Sequence, residues 1–313
     1  MDTCYQLLIV DTTAHTLLVV DGLTNAIIAE VALPSAEAIT AIYPACDGVK
    51  VFLPAAGNGG NGSVHILNLS NYSLYRLPVA ISHPEYFALK ETTAYFADPA
   101  GNLYTLNTAT LAVTAWKTNV DNLACVGLAA TQENILSLWE DSSNGLLSVM
   151  DTAGEIVHEY RLPGVPTALA VDASGLAYVS LVGKDNQLGL AVIGKEAEDL
   201  QQAALKLTCP LCQGPLSGYP IDLALNDNTI YLITEEGSLT IIDKTAMQAT
   251  KHTTLGQSLD AITLLPNDRQ ALGLSVMKGN LAMVDLAAGR ITALTATSHY
   301  LGPVAVIAQH QRK

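Results

Sequence analysis

The chain has 313 residues, 15 basic and 29 acidic, which gives a formal net charge of −14; half of its residues are hydrophobic and 14% are charged. This much apolar material excludes a disordered chain. The acidic balance argues against nucleic acid and anionic membrane surfaces as partners, because both require clustered Lys and Arg. No apolar run approaches the roughly 18 residues of a membrane-spanning helix, so we expect no membrane insertion.

The N-terminal segment MDTCYQLLIVDTTAHTLLVV predicts two strands, since it lacks a basic region and carries Asp2 and Asp11. Met1 as the native start would place the protein in the cytoplasm; the alternative is that a leader was removed before the numbered chain begins. The five cysteines are odd in number and mostly isolated, which is not the pattern of a disulfide framework.

Short β runs follow one another along the rest of the chain in a fixed order. A strand ends in Asp or Asn, a polar turn follows and a second strand begins, with the markers Asp21, Asn68, Asn107, Asp151, Asp243 and Asp285. A further unit, LGLAVIGKEAED, has lost its marker near Gly194. Seven units in 313 residues are about 45 residues each, the length of a propeller blade. Residues 195–207 form the one stretch with a helical pattern.

Two further strands precede each of these pairs, so the sequence predicts an all-β, seven-bladed β-propeller with four-stranded antiparallel blades. The C-terminal PVAVIAQ lacks partners, and the N-terminal YQLLIVD, TLLVVD and AIIAEVAL lack a first strand. We therefore expect both termini to build one blade and close the ring. The whole chain is one predicted domain, 1–313, with blades at 1–34 plus 303–313, 35–79, 80–118, 119–163, 164–208, 209–256 and 257–302.

The stretches VVDGLTNAIIAEVALP and LPGVPTALAVDASGLAYVSL resemble the YVTN-type repeat of surface-layer-like seven-bladed propellers, although the signature tetrapeptide is missing. WD40 propellers are disfavoured, because no unit carries the Gly-His or Trp-Asp pair. The resemblance implies an extracytoplasmic or cell-surface binding or structural role, a protein or peptide partner and no catalytic residue. We expect a monomeric propeller. Relatives with this fold include lactonases, lyases and amine-dehydrogenase subunits, so fold alone does not define function.

Carboxylates recur beside the predicted innermost strands of five blades: Glu37, Glu85, Asp121, Asp222 and Asp260. They map to the loop face, defined here as the face formed by the loops between second and third strands and by the inter-blade connections. A ring of carboxylates at the channel mouth would attract a basic peptide or a hard cation such as Ca²⁺. The alternative is that each acid only solvates the end of its loop.

Three histidines, His15, His83 and His299, also map to the loop face. Imidazoles from three loops can bind a transition metal or act as acid–base groups. No H-x-x-x-H spacing places two of them on one element, so the sequence predicts no metal site. Tyr219 and Tyr300 precede first strands in inter-blade loops and are candidates for ligand contacts.

Cys209 and Cys212 form a C-x-x-C motif in the longest inter-blade loop. A redox pair, half of a zinc site and a loop-stapling disulfide are all compatible with this spacing. A second ligand pair is missing, and the neighbouring Gly and Pro residues forbid the helix that a redox pair requires. We expect a disulfide in an oxidising compartment, or two free thiols in the cytoplasm.

Motifs of nucleophilic catalysis are lacking in the sequence. The preferred function is therefore a non-enzymatic binding or scaffold module that presents an acidic loop face and channel mouth to a protein, peptide or cation. The alternative is an enzyme or enzyme subunit of lactonase, lyase or amine-dehydrogenase type, with catalytic groups among His15, His83, His299 and the ring acids.

Overall fold

The computed structural model describes residues 5–45, 47–57, 62–79, 81, 83–98, 101–116, 123–141, 144–183, 186–194, 204–206, 208–209, 214–216, 218–297 and 299–308. Within these residues the regular secondary structure is β-sheet. No helix in the described part of the chain is long and apolar enough to cross a membrane.

The strands follow one another in chain order. The first three blades use β1 (Tyr5–Asp11), β2 (Thr16–Asp21), β3 (Ile27–Ala32), β4 (Glu37–Ile39), β5 (Tyr43–Pro44), β6 (Lys50–Gly57), β7 (Gly62–Asn68), β8 (Ser73–Val79), β9 (Tyr86–Lys90), β10 (Thr93–Ala97), β11 (Leu103–Asn107) and β12 (Val113–Trp116). The next two use β13 (Ala124–Ala130), β14 (Ile135–Glu140), β15 (Gly145–Met150), β16 (Ile156–Leu162), β17 (Val165–Val171), β18 (Ala177–Val182), β19 (Leu188–Ile193) and β20 (Ala204–Lys206).

A short pair, β21 (Thr208–Cys209) with β22 (Gly214–Pro215), then precedes the remaining strands. These are β23 (Pro220–Leu225), β24 (Thr229–Thr234), β25 (Ser238–Asp243), β26 (Gln248–Thr254), β27 (Ala261–Leu264), β28 (Gln270–Ser275), β29 (Asn280–Asp285), β30 (Arg290–Ala296) and β31 (Leu301–Ala308). The strand Ala204–Lys206 lies in the stretch whose pattern favoured a helix, so that expectation is wrong for these three residues. Pairing with β19 satisfies their backbone in the sheet.

Seven antiparallel sheets form the blades, which confirms the predicted seven-bladed propeller. Blade 1 has the order β3-β2-β1-β31, with Leu8 opposite Ala305 across the junction of the two chain ends. The predicted ring closure by both termini is therefore present. Blades 2 to 7 follow in chain order, and blade 2 differs because two short strands, β4 and β5, both pair with β6.

The recurring Asp or Asn markers are turn residues, which explains their spacing. Oδ1 of Asp243 accepts the backbone N–H groups of Thr245 (2.8 Å) and Ala246 (2.7 Å). The side chains of the other five markers, Asp21, Asn68, Asn107, Asp151 and Asp285, accept backbone amides in the same way. Such turns reverse the chain between the third and fourth strands of a blade.

The core is divided into one apolar cluster for each of the seven contacts between neighbouring blades. Leu8 and Val19 of blade 1, for example, pack against Val51 and Leu53 of blade 2. The last cluster joins Leu272 and its neighbours in blade 7 to blade 1. Inner strands are thus covered on both faces, which accounts for the apolar runs and the low share of charged residues.

Candidate functional site

A cleft of about 360 Å³ opens on the loop face where blade 1 meets blade 2. His15 from the β1–β2 turn, Glu37 at the start of β4 and His83 from the connection to blade 3 all line it. Asp11, the last residue of β1, lines it as well. Three of the predicted site residues, which come from three separate segments of the chain, therefore meet at one cavity.

The floor of this loop-face cleft is apolar, and its rim is polar. Val10, Ile39 and Ala56 are buried beneath it, whereas His15 and His83 are exposed at the rim. His15 has a φ of 53°, a left-handed conformation in which a histidine is tolerated better than most residues. The cleft thus combines an apolar base with two imidazoles that no described residue binds.

Glu37 lies on the cleft wall and is saturated with hydrogen bonds. Its Oε2 accepts a hydrogen bond from Ser63 Oγ (2.8 Å) and lies 2.6 Å from His65 Nε2. Its Oε1 accepts hydrogen bonds from Nε and Nη2 of Arg76. Burial alone would raise the pKa of Glu37, but the bonds from Arg76, Ser63 and His65 outweigh it and lower that pKa to about 2. The carboxylate is therefore ionised, and both of its oxygens already have partners.

Strand register explains how this network forms. Glu37 pairs with Gly57 on β6, Ser63 with Ala55, and His65 with Arg76 on β8. Directly paired residues project from the same side of a sheet, so these side chains cross one face of blade 2 from its inner to its outer strand. That face is the one packed against blade 1.

His65 is fully buried, and its Nδ1 has no hydrogen-bond partner among the described residues. The carboxylate of Glu37 can only accept, so the proton of the imidazole is assigned to Nε2. Ser63 Oγ lies 3.0 Å from this same nitrogen. A catalytic triad needs the hydroxyl and the carboxylate on opposite nitrogens, so this Ser–His–Glu cluster is a structural network.

His299 is paired with Asp11 beside the cleft. Its Nδ1 lies 2.5 Å from Asp11 Oδ2, while Asp11 Oδ1 accepts the N–H groups of Thr13 (3.0 Å) and Ala14 (2.8 Å). Burial opposes ionisation of Asp11, but the hydrogen bonds from Ala14 and His299 prevail and hold its pKa below the ordinary value. The third predicted histidine, His299, therefore does not line the cleft itself but contacts Asp11, which does.

The remaining ring acids have different surroundings. Asp222 is largely buried and accepts the backbone N–H groups of Leu223 (2.8 Å) and of Ile262 in the next blade (2.9 Å). Burial outweighs these bonds and raises the pKa of Asp222 to about 6. Asp260 is exposed and accepts the Val276 N–H at 2.7 Å. Asp121 lies outside the described residues.

Glu85 and Glu140 are half-buried and Glu235 is exposed, and none of these three carboxylates on the loop face forms a side-chain hydrogen bond or ion pair with a described residue. The charges of Glu85 and Asp222 both act on Tyr43, whose pKa is raised to about 12 chiefly by burial. Glu140 likewise acts on the half-buried Tyr86 and on Tyr219. Tyrosines and unpaired carboxylates therefore lie together near the channel mouth.

The two predicted contact tyrosines are exposed, Tyr219 by 43% and Tyr300 by 61%. Tyr300 binds the β1–β2 turn through its backbone, because its carbonyl accepts from the N–H and Oγ1 of Thr12 at 3.0 and 2.8 Å. Cys212 and the side chain of Cys209 lie outside the described residues. The thiol of Cys125 is buried, which raises its pKa to about 12.

Among the described residues no group of three or more His, Cys, Asp or Glu side chains is arranged to hold a metal ion. A second cleft, of about 380 Å³, opens on the opposite face between blades 4 and 5 and is lined by Asn134, His158 and Ser174 among others. None of the predicted site residues lies in it.

Asp11, Ser63, His65 and Arg76 are site residues that the sequence pattern did not predict. A signal was present for two of them, since Ser63 and His65 alternate with apolar residues on a strand and so share its core-facing side with Leu67. Two polar residues on a buried face require a buried partner. Arg76 could not be placed without the register of β7 and β8.

The fold and site define a seven-bladed β-propeller with a polar cleft on its loop face. No protein-family model and no curated protein matches the sequence. Among solved structures, a functionally unknown protein from Desulfotomaculum acetoxidans is similar, with a TM-score of 0.73, 14% identity and coverage of 97% of this chain and 99% of that chain.

Two structures with named functions are also similar. Hydrazine synthase from Kuenenia stuttgartiensis has a TM-score of 0.71 and 14% identity, covering 87% of this chain and 90% of that one. The dihydro-heme d1 dehydrogenase NirN in complex with DHE has a TM-score of 0.65 and 15% identity over 94% of this chain. This chain spans 64% of the length of NirN. At such identities the likeness shows the fold alone.

Proposed function

We propose that this propeller is a non-enzymatic binding module that captures a positively charged segment of a peptide or protein on its loop face. The observation that carries the proposal is the set of carboxylates without cationic partners: Glu85, Glu140 and Glu235 bind no described side chain. Lys278 is the one basic residue that the described loops of this face carry. Unpaired carboxylates around a concave mouth focus a negative potential that steers cationic ligands.

The chemistry of the described residues favours binding over catalysis. Ser63 is buried, and it shares Nε2 of His65 with Glu37, so the imidazole has no second nitrogen on Ser63 with which to activate it as a nucleophile. Cys125 is held as a thiol by its raised pKa, and a thiol is a poor nucleophile. Both groups therefore support the blade contacts instead of presenting a reactive atom.

A labelled hexalysine peptide tests this function by fluorescence anisotropy at pH about 7.5 and about 20 mM salt, where screening is weak. We expect saturable binding that weakens about tenfold in the triple variant Glu85→Gln, Glu140→Gln, Glu235→Gln. The control is Glu91→Gln, Glu155→Gln, Asp227→Asn, which removes the same charge from the opposite face and should change affinity less than twofold. Equal weakening in both variants, or no binding by the wild type, would overturn the proposal.

An enzymatic role is the second candidate, and the Asp11–His299 pair is the observation that favours it. The carboxylate holds Nδ1 of the imidazole and leaves Nε2 for a reacting group, which is the arrangement of a positioned acid–base histidine. Two similar structures are named as a dehydrogenase and a synthase. Hydrolysis of a lactone panel that is lost in His299→Gln but kept in His158→Gln would favour this candidate over the binding module.

Kinship with the YVTN-type surface-layer-like propellers is also part of the proposal. It is supported by the strand, Asx turn and strand that recur at the six marker residues. It implies an extracytoplasmic place of action, where an acidic binding face would meet secreted or surface-bound cationic segments. Fractionation of cells that express the tagged full-length protein tests this expectation.

A further inference from the structure

Tyr219 places an aromatic ring among the carboxylates of the loop face. The residue is 43% exposed, and its hydroxyl forms no hydrogen bond with a described residue. The charges of Glu140 and Glu235 both act on this hydroxyl. Attraction of a positively charged segment requires only negative charge, so an exposed aromatic ring at this place needs a separate explanation.

The backbone of Tyr219 is fixed on both sides. Its carbonyl accepts from the N–H of Glu235 at 2.9 Å, and its own N–H donates to Oε1 of Glu236 at 3.3 Å. Pro220 follows and favours an extended conformation of the tyrosine. Gly218 precedes it with a φ of 136°, and a Cβ there would lie 2.8 Å from Oε2 of Glu236. The connection between blades 5 and 6 is thus held against the turn between β24 and β25, and the ring projects from a fixed support.

Three carboxylates lie around this ring, and none of them has a cationic partner among the described residues: Glu140, Glu235 and Glu236. The two neighbours in the β24–β25 turn are exposed, whereas Glu140 is half-buried at the end of β14. Burial raises the pKa of Glu140, as expected for a carboxylate that is partly desolvated without a cation. Glu236 uses Oε1 for a neutral N–H only. Oxygen acceptors therefore remain for a ligand with several donors.

A guanidinium group fits these features better than an ammonium group. It is planar and weakly hydrated, so it stacks on an aromatic face more readily than the compact ammonium of lysine. Its five N–H donors can reach two carboxylates at once, which suits the adjacent side chains of Glu235 and Glu236. Lysine carries the same charge, so a preference for arginine would arise from the ring and from the geometry of the donors.

From this geometry we infer that one arginine side chain of the partner binds here, with its guanidinium stacked on the ring of Tyr219. We call this place the Tyr219 subsite, formed by Tyr219, Glu140, Glu235 and Glu236. The inference rests on the proposed function, because it names the cationic side chain that the same face recognises. A segment rich in arginine should therefore bind better than a lysine segment of equal charge.

The test compares labelled hexa-arginine with labelled hexalysine on the full chain, by fluorescence anisotropy at pH about 7.5 and about 20 mM salt. The variant Tyr219→Leu removes the ring and keeps both the charge and an apolar side chain. Tyr219→Phe keeps the ring and removes only the hydroxyl. The control is Tyr75→Leu, which removes a tyrosine that is 54% exposed on β8, the outer strand of blade 2. Thermal unfolding shows that each variant is folded.

We expect the wild type to bind hexa-arginine about fivefold more tightly than hexalysine, as one stacked cation would give. This ratio should fall to about twofold or less in Tyr219→Leu, chiefly through weaker binding of hexa-arginine. Tyr219→Phe and Tyr75→Leu should keep the ratio of the wild type. A ratio that persists in Tyr219→Leu would overturn the inference, since the preference would then come from the peptide and not from the ring.

Failure of the two proposals can be separated. Equal affinity of the wild type for both peptides overturns the Tyr219 subsite alone, whereas no binding of either peptide overturns the proposed function and the subsite with it. A ratio lost in Tyr219→Phe would assign recognition to the hydroxyl and overturn the stacked geometry. If Tyr219→Leu does not fold, the double variant Glu235→Gln, Glu236→Gln is measured; it removes the paired acceptors and should lower the ratio to about twofold or less. An unchanged ratio in that variant would overturn the inference.

Discussion

Nδ1 of His299 lies 2.5 Å from Oδ2 of Asp11, although 288 positions separate the two residues. This contact joins the last inter-blade connection to the end of β1. It adds a polar link on the loop face to the β1–β31 pairing that closes the ring. Closure by both termini therefore includes side chains as well as backbone.

Replacement of Asp11 by Asn should weaken this closure by about 1 kcal/mol in the free energy of unfolding. Asn can still accept the amides of Thr13 and Ala14 through its Oδ1, so chiefly the contact between the carboxylate oxygen Oδ2 and the imidazole of His299 is lost. Urea unfolding at pH about 6 measures the change, and Asp21→Asn, which alters a turn carboxylate away from His299, is the control. Equal stability of Asp11→Asn and the wild type would show that the contact contributes nothing to closure.

Glu37→Gln should destabilise the protein in a pH-dependent manner, by about 2 kcal/mol near neutral pH. The folded-state pKa of Glu37 is about 2, below the ordinary 4.5, so its stabilising effect is complete above pH about 5 and is lost as the pH falls toward 2. The difference between wild type and variant in urea unfolding should therefore shrink with acidification. A difference that stays constant between pH about 5 and about 3 would contradict the assigned ionised network.

Lys244→Met should loosen the contact between blades 5 and 6 on the opposite face, at a cost of about 2 kcal/mol. Lys244 Nζ donates to Asp172 Oδ2 at 2.7 Å and lies 5.0 Å from the ring centroid of Tyr178, and both partners of the ion pair are about 10% exposed. Methionine keeps the stem and removes the charge, which leaves a mostly buried carboxylate without its cation. Lys278→Met, at an exposed lysine that forms no ion pair with a described residue, is the control. An unchanged thermal midpoint for Lys244→Met would refute this role.

Gly289→Ala should cost more stability than Gly175→Ala. Both glycines have a positive φ, 66° and 87°. An alanine in this left-handed conformation lowers the free energy of unfolding by about 1 kcal/mol at either site. An added Cβ at residue 289 would also lie 2.7 Å from Thr253 Cγ2, whereas nothing lies within 4 Å of one at residue 175. Equal losses in chemical unfolding would show that Thr253 moves aside without cost.

Sequence periodicity was sufficient to predict the fold, because each blade repeats the same pattern of strands and turns. The marker at Asp243 terminates a strand by binding its own turn, and the residue four positions later, Met247, takes a φ of 50°. Asn25, Tyr72, Leu111 and Gly289 have the same position and sign of φ in their turns. Such signals are local, so they can be read from a single sequence.

The candidate site was harder to predict from the sequence, because it depends on strand register and on contacts between blades. His15, His83 and Glu37 were assigned to the correct face, but their meeting in one cleft requires blades 1 and 2 to be packed. The pairing of Glu37 with His65 and Arg76 depends on which residues face each other across β6, β7 and β8. A carboxylate that looked available in the sequence is thus fully bonded within its own blade.

Hydrogen-exchange mass spectrometry of the full chain, with and without saturating hexalysine at pH about 7.5, tests the central claim most directly, since it locates the bound surface. The account predicts slower exchange in the loop-face segments 12–15, 33–37, 83–86 and 234–237, with no change in the opposite-face turns 91–93, 131–134 and 244–247. Protection confined to the opposite-face turns, or spread equally over both faces, would contradict a binding site on the loop face.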